Sequence, residues 1–257
     1  MGRALHAEWT KLRTAAGTGW LLLAVVALTA GIGAAGAGTI GCHSAGCGQD
    51  PAKISLIGVQ LGQAVVTVLA VLAVGGEYGT GMVRVSLAAQ PRRMILLAAK
   101  VITVTGLVAV ASTLAVAGSV LAGRLLLPGS GFTAEHGYAS LSLADGPVLR
   151  AAAGSVLYLC LVAMLALGVA TVVRETAASI GVMLGLLYLA PLLIQAISDP
   201  VWRRHVQQVA PTAGLAIQAT TGLDKLPIGP WPGLGVLAAW AAGSLLLGAV
   251  LLQARDA

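Results

Sequence analysis

The stretch WLLLAVVALTAGIGAAGAGTI, Trp20–Ile40, carries no charged residue. About 20 apolar residues in helical form span a hydrocarbon core of roughly 30 Å, and lipid offers no partner for an unpaired backbone group. The run therefore reads as a membrane-crossing helix. The same test applied outward finds five more spans, at Ile54–Val74, Met94–Gly123, Ala151–Val173, Thr176–Ile197 and Pro232–Leu252. The expected fold is an all-α integral membrane protein with six transmembrane helices, a single domain over residues 1–257.

Composition points the same way. The 257 residues are 58% hydrophobic and only 9% charged, with a mean hydropathy of +0.92, whereas an ordinary soluble domain has about 25% charged residues. One Phe, four Tyr and 34 Gly leave helix faces small and smooth, which favours close helix packing. Small-residue spacings such as Ala30, Ala34 and Gly38, or Gly31 and Ala35, are expected at such contacts.

The net charge of +6 raises nucleic acid as a partner, but the basic residues stand beside apolar stretches and are not interleaved with aromatics. Membrane orientation explains them better. With the N-terminus inside, about nine of the 15 Lys and Arg residues fall on the cytosolic side. An even number of crossings returns the C-terminus there too. Lys100 is the one formal charge within the spans, and near the start of the third helix its ammonium is expected to snorkel to the headgroups. The first apolar run is longer than the 7–15 residues of a cleaved secretory signal.

Outside the spans, Leu5, Trp9 and Leu12 recur at i, i+4 and i+7, with Arg3, Glu8, Lys11 and Arg13 on the remaining surface. This pattern predicts an amphipathic helix on the inner leaflet. Between the second and third spans, Gly75 and Gly76 are expected to break the helix, Thr80 to cap a new short one, and Pro91 to end it. The result is a cytosolic helix, Thr80–Gln90, roughly 15 Å long.

On the other side, Cys42 and Cys47 lie in one short loop on the oxidising side of this topology. They read as a disulfide or, with His43, as a metal site that lacks a fourth ligand. The segment from Asp199 to Trp231 carries Val201, Trp202, Val206 and Val209, which suggests a short helix on the outer leaflet. Its Arg203 and Arg204 read as headgroup contacts or a solvated basic turn. Arg174 and Glu175 alone separate the fourth and fifth helices and imply a tight hairpin.

The loop after the second span carries Glu77-Tyr78-x-x-Gly81-x-x-Arg84-x-x-Leu87, followed by Pro91-Arg92-Arg93 and Lys100. This resembles the permease subunits of ABC-type exporters of the type 2 family, bacterial proteins with six transmembrane helices. Glu8-Trp9-x-Lys11-Leu12-Arg13-Thr14 resembles that family's N-terminal segment, and Val209–Ile217 the segment before its last helix. Met82 departs from the Thr or Ser usual after the loop glycine and lacks their hydroxyl for capping or bonding there.

The resemblance implies a bacterial plasma-membrane permease that pairs with a second permease, identical or homologous, and with two cytosolic ATPases. Thr80–Gln90 would be the coupling helix, with Glu77, Tyr78, Thr80, Gly81, Met82, Val83, Arg84 and Leu87 at the ATPase joint. Glu77 and Arg84 would make its charged contacts, and Arg92 and Arg93 would sit at headgroups. By the same resemblance the second and fifth helices line the path. No Gly-x-x-x-x-Gly-Lys-Ser/Thr phosphate loop occurs in the sequence, so this chain is expected to bind no cofactor itself, with ATP and Mg held by the partner ATPase.

Rival functions remain. A secondary transporter would need membrane-buried acids or His to bind a coupling ion, but the embedded polar groups are Gln60, Gln63, Gln195 and hydroxyls. These glutamines read as substrate-bonding groups or as glue between helices. An intramembrane enzyme would need a catalytic set at depth, yet His6, His43, His136 and His205 all lie outside the spans. A non-transporting sensor or immunity subunit that binds a ligand outside is the other alternative.

Overall fold

The computed structural model describes residues 1–42, 47–79 and 93–254. Among these, six helical segments are long and apolar enough to cross a membrane: Gly17–Thr39, Val59–Gly76, Arg93–Ser130, Gly146–Val173, Thr176–Gln195 and Pro230–Ala254. The chain is a multi-pass, all-α membrane protein.

Its helices are α1 (Gly2–Thr14), α2 (Ala16–Thr39), α3 (Pro51–Ser55), α4 (Val59–Gly79), α5 (Arg93–Leu126), α6 (Gly146–Val173), α7 (Thr176–Leu184), α8 (Ala190–Gln195), α9 (Pro200–Val209) and α10 (Pro230–Ala254). A π-helical turn, Gly185–Leu189, joins α7 to α8, and 3-10 turns at Pro211–Gln218 lead from α9 toward α10. The loops alternate between the end where α1 and the last turn of α10 lie, here the termini end, and the far end.

The second span differs from the expected Ile54–Val74 at both limits. The short α3 ends at Ser55 and the chain turns before α4 begins at Val59. Gly58 makes this possible, because a Cβ there would collide with the Thr29 carbonyl of α2. At its other end α4 continues through Gly75 and Gly76 to Gly79, so these glycines do not break the helix. Gly75 instead lets α4 approach Thr176 at the start of α7, where a Cβ would meet Thr176 Oγ1.

The π turn in the fifth span has an evident cause. Pro191 has no N–H to offer the Leu187 carbonyl, and its ring crowds that carbonyl. One extra residue in the preceding turn relieves both. The fourth span ends where Arg174 adopts a left-handed conformation, φ 62°. Glu175 then caps α7, accepting from the N–H of Ala177 and of Ala178.

The centre of the bundle is α6, with Tyr158, Leu159, Val162, Ala163, Ala166 and Ala170 buried. It packs against α4, α5, α10 and the Pro211–Gln218 turns. Small residues set its distance from α10: a side chain at Gly168 would run into Ser244, and one at Gly248 into Thr171. On α2, Gly31 and Gly38 of the expected spacings face open space, whereas Ala30 lies where a side chain on Gly118 of α5 would meet it. Trp20, Val110, Leu125, Leu192 and Leu246 project outward, a belt suited to lipid rather than water.

Candidate functional site

At the termini end, α1 folds back against the bundle through charge. Only Ala15, in extended conformation, separates α1 from α2, so α1 can lie across the start of α5. Ala4 and Glu8, one turn apart, form its buried edge, and Glu8 is 2% exposed. Each carboxylate oxygen of Glu8 has its own ammonium, with Lys11 Nζ 3.0 Å from Oε1 and Lys100 Nζ 3.0 Å from Oε2. Lys100 also donates to the Ala73 carbonyl of α4 at 2.8 Å.

This arrangement corrects two expectations. Glu8 is not on the solvent side of an amphipathic helix, and Lys100 does not snorkel to the headgroups but is 6% exposed inside the bundle. The reason is mutual: an ammonium two turns into a helix is costly unless paired, and a carboxylate on the neighbouring helix supplies the partner. Leu12 packs against the core and Leu5 is partly buried. Trp9 is 46% exposed at a groove formed with Leu22, Val26 and Ile102, while Arg13 is exposed.

Beside the charge cluster lies a cavity of about 520 Å³, lined by the charged Glu8, Lys11 and Lys100 together with the apolar Leu12, Leu69 and Leu72. Gly76, at the exit of α4, also lines it. Arg93, expected at headgroups, donates to the Leu252 carbonyl at 2.7 Å, and Arg174 donates to that of Leu251 at 3.3 Å. The last turn of α10 is thus held by cations at its negative end.

Of the residues assigned to an ATPase joint, Glu77 and Tyr78 belong to the final turn of α4. Thr80, Gly81, Met82, Val83, Arg84 and Leu87, with the rest of the expected helix to Gln90, lie outside the described residues. Their neighbours in sequence, Gly79 and Arg93, end α4 and begin α5 at the termini end.

The three glutamines separate into two groups. Gln63 is buried and accepts a hydrogen bond from the Tyr158 hydroxyl, joining α4 to α6 as glue between helices. Gln60 and Gln195 are exposed and line a common cavity near the far end. The Tyr188 hydroxyl, within the π turn, donates to the Gln60 carbonyl.

At the far end, Cys42 and Cys47 are joined by a disulfide, with Cα atoms 6.0 Å apart, so neither sulfur is a free thiolate for a metal. Asp50 is a hub that sequence reading missed. It caps α3 through the N–H groups of Ala52 and Lys53. The same carboxylate accepts from Thr220 Oγ1 at 2.7 Å and from the Thr221 N–H at 3.1 Å. The Asp50-Pro51 pair, an N-cap followed by proline at the first helical position, is the signal that could have found its local role; its link to a loop 170 positions away has no local signature. On α9, Val201, Trp202 and Val209 are exposed on an apolar face.

Compared with known proteins, the chain matches no protein-family model and no curated sequence.

Proposed function

We propose that this chain is the transmembrane half of an ABC-type exporter in a bacterial plasma membrane, driven by ATP that separate cytosolic ATPases hydrolyse with Mg. In this reading the termini end faces the cytosol and the disulfide end faces the oxidising side. Residues 80–90 form the coupling helix, and a second permease completes the path.

The observation that carries the proposal is the Glu8–Lys100 ion pair. Glu8 belongs to the N-terminal segment that resembles the exporter family and Lys100 to the end of the loop segment that does, and the structure brings them within 3.0 Å. Such a clamp ties α1 to the helix that emerges from residues 80–92, so a push on that segment would move α1, α4 and α5 together. A protein anchored only by an interfacial helix would not need a buried ion pair there, since such pairs cost desolvation.

Affinity purification in mild detergent from native membranes tests the proposal. A phosphate-loop ATPase should accompany the chain, and Arg84→Glu should release it while the bundle stays folded. Recovery of a folded chain with no ATPase, together with transport that follows an ion gradient and not ATP, would support a secondary transporter instead.

A further inference from the structure

The cavity that Gln60 and Gln195 share extends between α4, α8, α9 and the Pro211–Gln218 turns, with a volume of about 370 Å³. Small-ligand sites range over about 300–1,000 Å³. Two further carboxamides, Gln207 and Gln218, line it. Gln218 is 2% exposed, and its Nε2 has no hydrogen-bond partner among the described residues. A buried donor left unpaired costs free energy that folding alone does not recover. A ligand group that accepts from it would do so.

The wall is built to keep its shape. Gln208 Nε2 donates to the Pro227 carbonyl at 2.7 Å, fixing the 226–228 segment against α9. On the opposite side Pro191, two residues beyond the π turn Gly185–Leu189, lines the cavity, and π turns occur often at functional sites.

The lining also selects the ligand chemistry. It contains no acidic side chain and no aromatic ring, so it offers neither a carboxylate for a cation nor a platform for stacking a sugar. A primary carboxamide presents two N–H donors and a carbonyl acceptor, the complement of a peptide group. Ile194, Leu226 and Ile228 supply apolar wall for aliphatic side chains, and Lys53 places one cation at the site for a carboxylate.

We propose that this amide-lined cavity binds a short aliphatic peptide segment through its backbone amides, making peptides the ligand class recognised at the far end. The transport role of the site rests on the exporter reading, but the binding itself does not.

The test uses the full chain in nanodiscs and a probe, N-acetyl-trileucine with one residue replaced by a diazirine leucine, its carboxylate free. After irradiation the label should map to Ile194 and residues 226–228. Gln195→Leu and Gln218→Leu should each weaken labelling about tenfold, the scale of one lost hydrogen bond. An analogue with N-methylated peptide bonds should weaken it as much, and maltotriose should not compete. If Gln218→Leu fails to fold, Gln207→Leu takes its place beside Gln195→Leu. Label confined to the lipid-facing belt, label equally strong with the N-methylated analogue, or label unchanged in the folded variants would overturn the proposal. None of these outcomes depends on whether an ATPase accompanies the chain.

Discussion

Glu8 Oε2 and Lys100 Nζ stand 3.0 Å apart with both side chains almost wholly enclosed, so the N-terminal helix is fastened to the bundle by a buried charge pair. Removing one member of such a pair strands the other, at a cost of about 3–5 kcal/mol. Glu8→Leu is expected to be the most destabilising of the single changes, because it removes the one carboxylate that both Lys11 and Lys100 face within 3.0 Å. Lys100→Met should cost less, since Lys11 still neutralises Glu8. The double variant Glu8→Leu/Lys100→Met should recover most of the loss. Thermal unfolding in detergent reads all three, and strictly additive losses would contradict the pairing.

Gln63 and Tyr158 form a second buried link, between α4 and α6. Tyr158→Phe should cost about 1–3 kcal/mol by leaving Gln63 with an unsatisfied amide. The double variant Tyr158→Phe/Gln63→Leu should be close to wild type in stability. Because Gln63 is glue in this arrangement, the double variant should also transport normally. A loss of transport at full stability would return Gln63 to the pathway.

The disulfide loop reports topology. In a Cys160→Ser background, a membrane-impermeant maleimide should label intact cells only after an impermeant reductant has opened Cys42–Cys47. Labelling that requires permeabilised cells would place this end inside and reverse the orientation. Loss of so short a cross-link should lower stability by about 2 kcal/mol.

Glu175 adds a pH dependence at the hairpin between the fourth and fifth spans. Its carboxyl is held below the ordinary value for Glu by the hydrogen bond from the Ala178 N–H and then by that from Ala177. A lowered value means that the capping contribution is complete above the ordinary Glu range, near about pH 4.3. It is lost as pH falls through the lowered value in the folded protein. The stability difference between wild type and Glu175→Ala should therefore be constant near neutrality and shrink in acid. A difference that widens in acid would contradict the cap.

Much of this arrangement was legible in the sequence. The uncharged runs give the six crossings because lipid admits only helices and closed barrels, and apolar runs of about 20 residues suit helices, so no tertiary knowledge enters. The hairpin at Arg174-Glu175 was equally plain, since two residues leave no room for anything else. Glu8 was placed on the wrong face because three apolar residues at helical spacing defined a stripe, and a lone acid beside it looked solvated. Its partner lies 92 positions away, and only the requirement that Lys100 find a counter-charge points to it. The glycines at 75 and 76 misled for the opposite reason: their low helix propensity was overruled, at Gly75 by a close approach to Thr176 that only glycine allows, while Gly76 faces open space within the same helix.

The grouping of four glutamines around one cavity was not readable, because two come from a long connection whose course over the far end depends on the Asp50 hub. Gln60 and Gln195 were visible as polar residues within apolar runs. Nothing local indicated that Gln207 and Gln218 would meet them.

The most direct measurement of the central claim is site-specific photocrosslinking in living cells, with benzoylphenylalanine placed in turn at each position from Thr80 to Gln90. A coupling helix seated in an ATPase groove should give crosslinks to one cytosolic phosphate-loop protein with helical spacing, strongest on one face such as Val83 and Leu87. Crosslinks only to lipid, or to no nucleotide-binding protein at any of these positions, would contradict the assignment of this chain as an exporter permease.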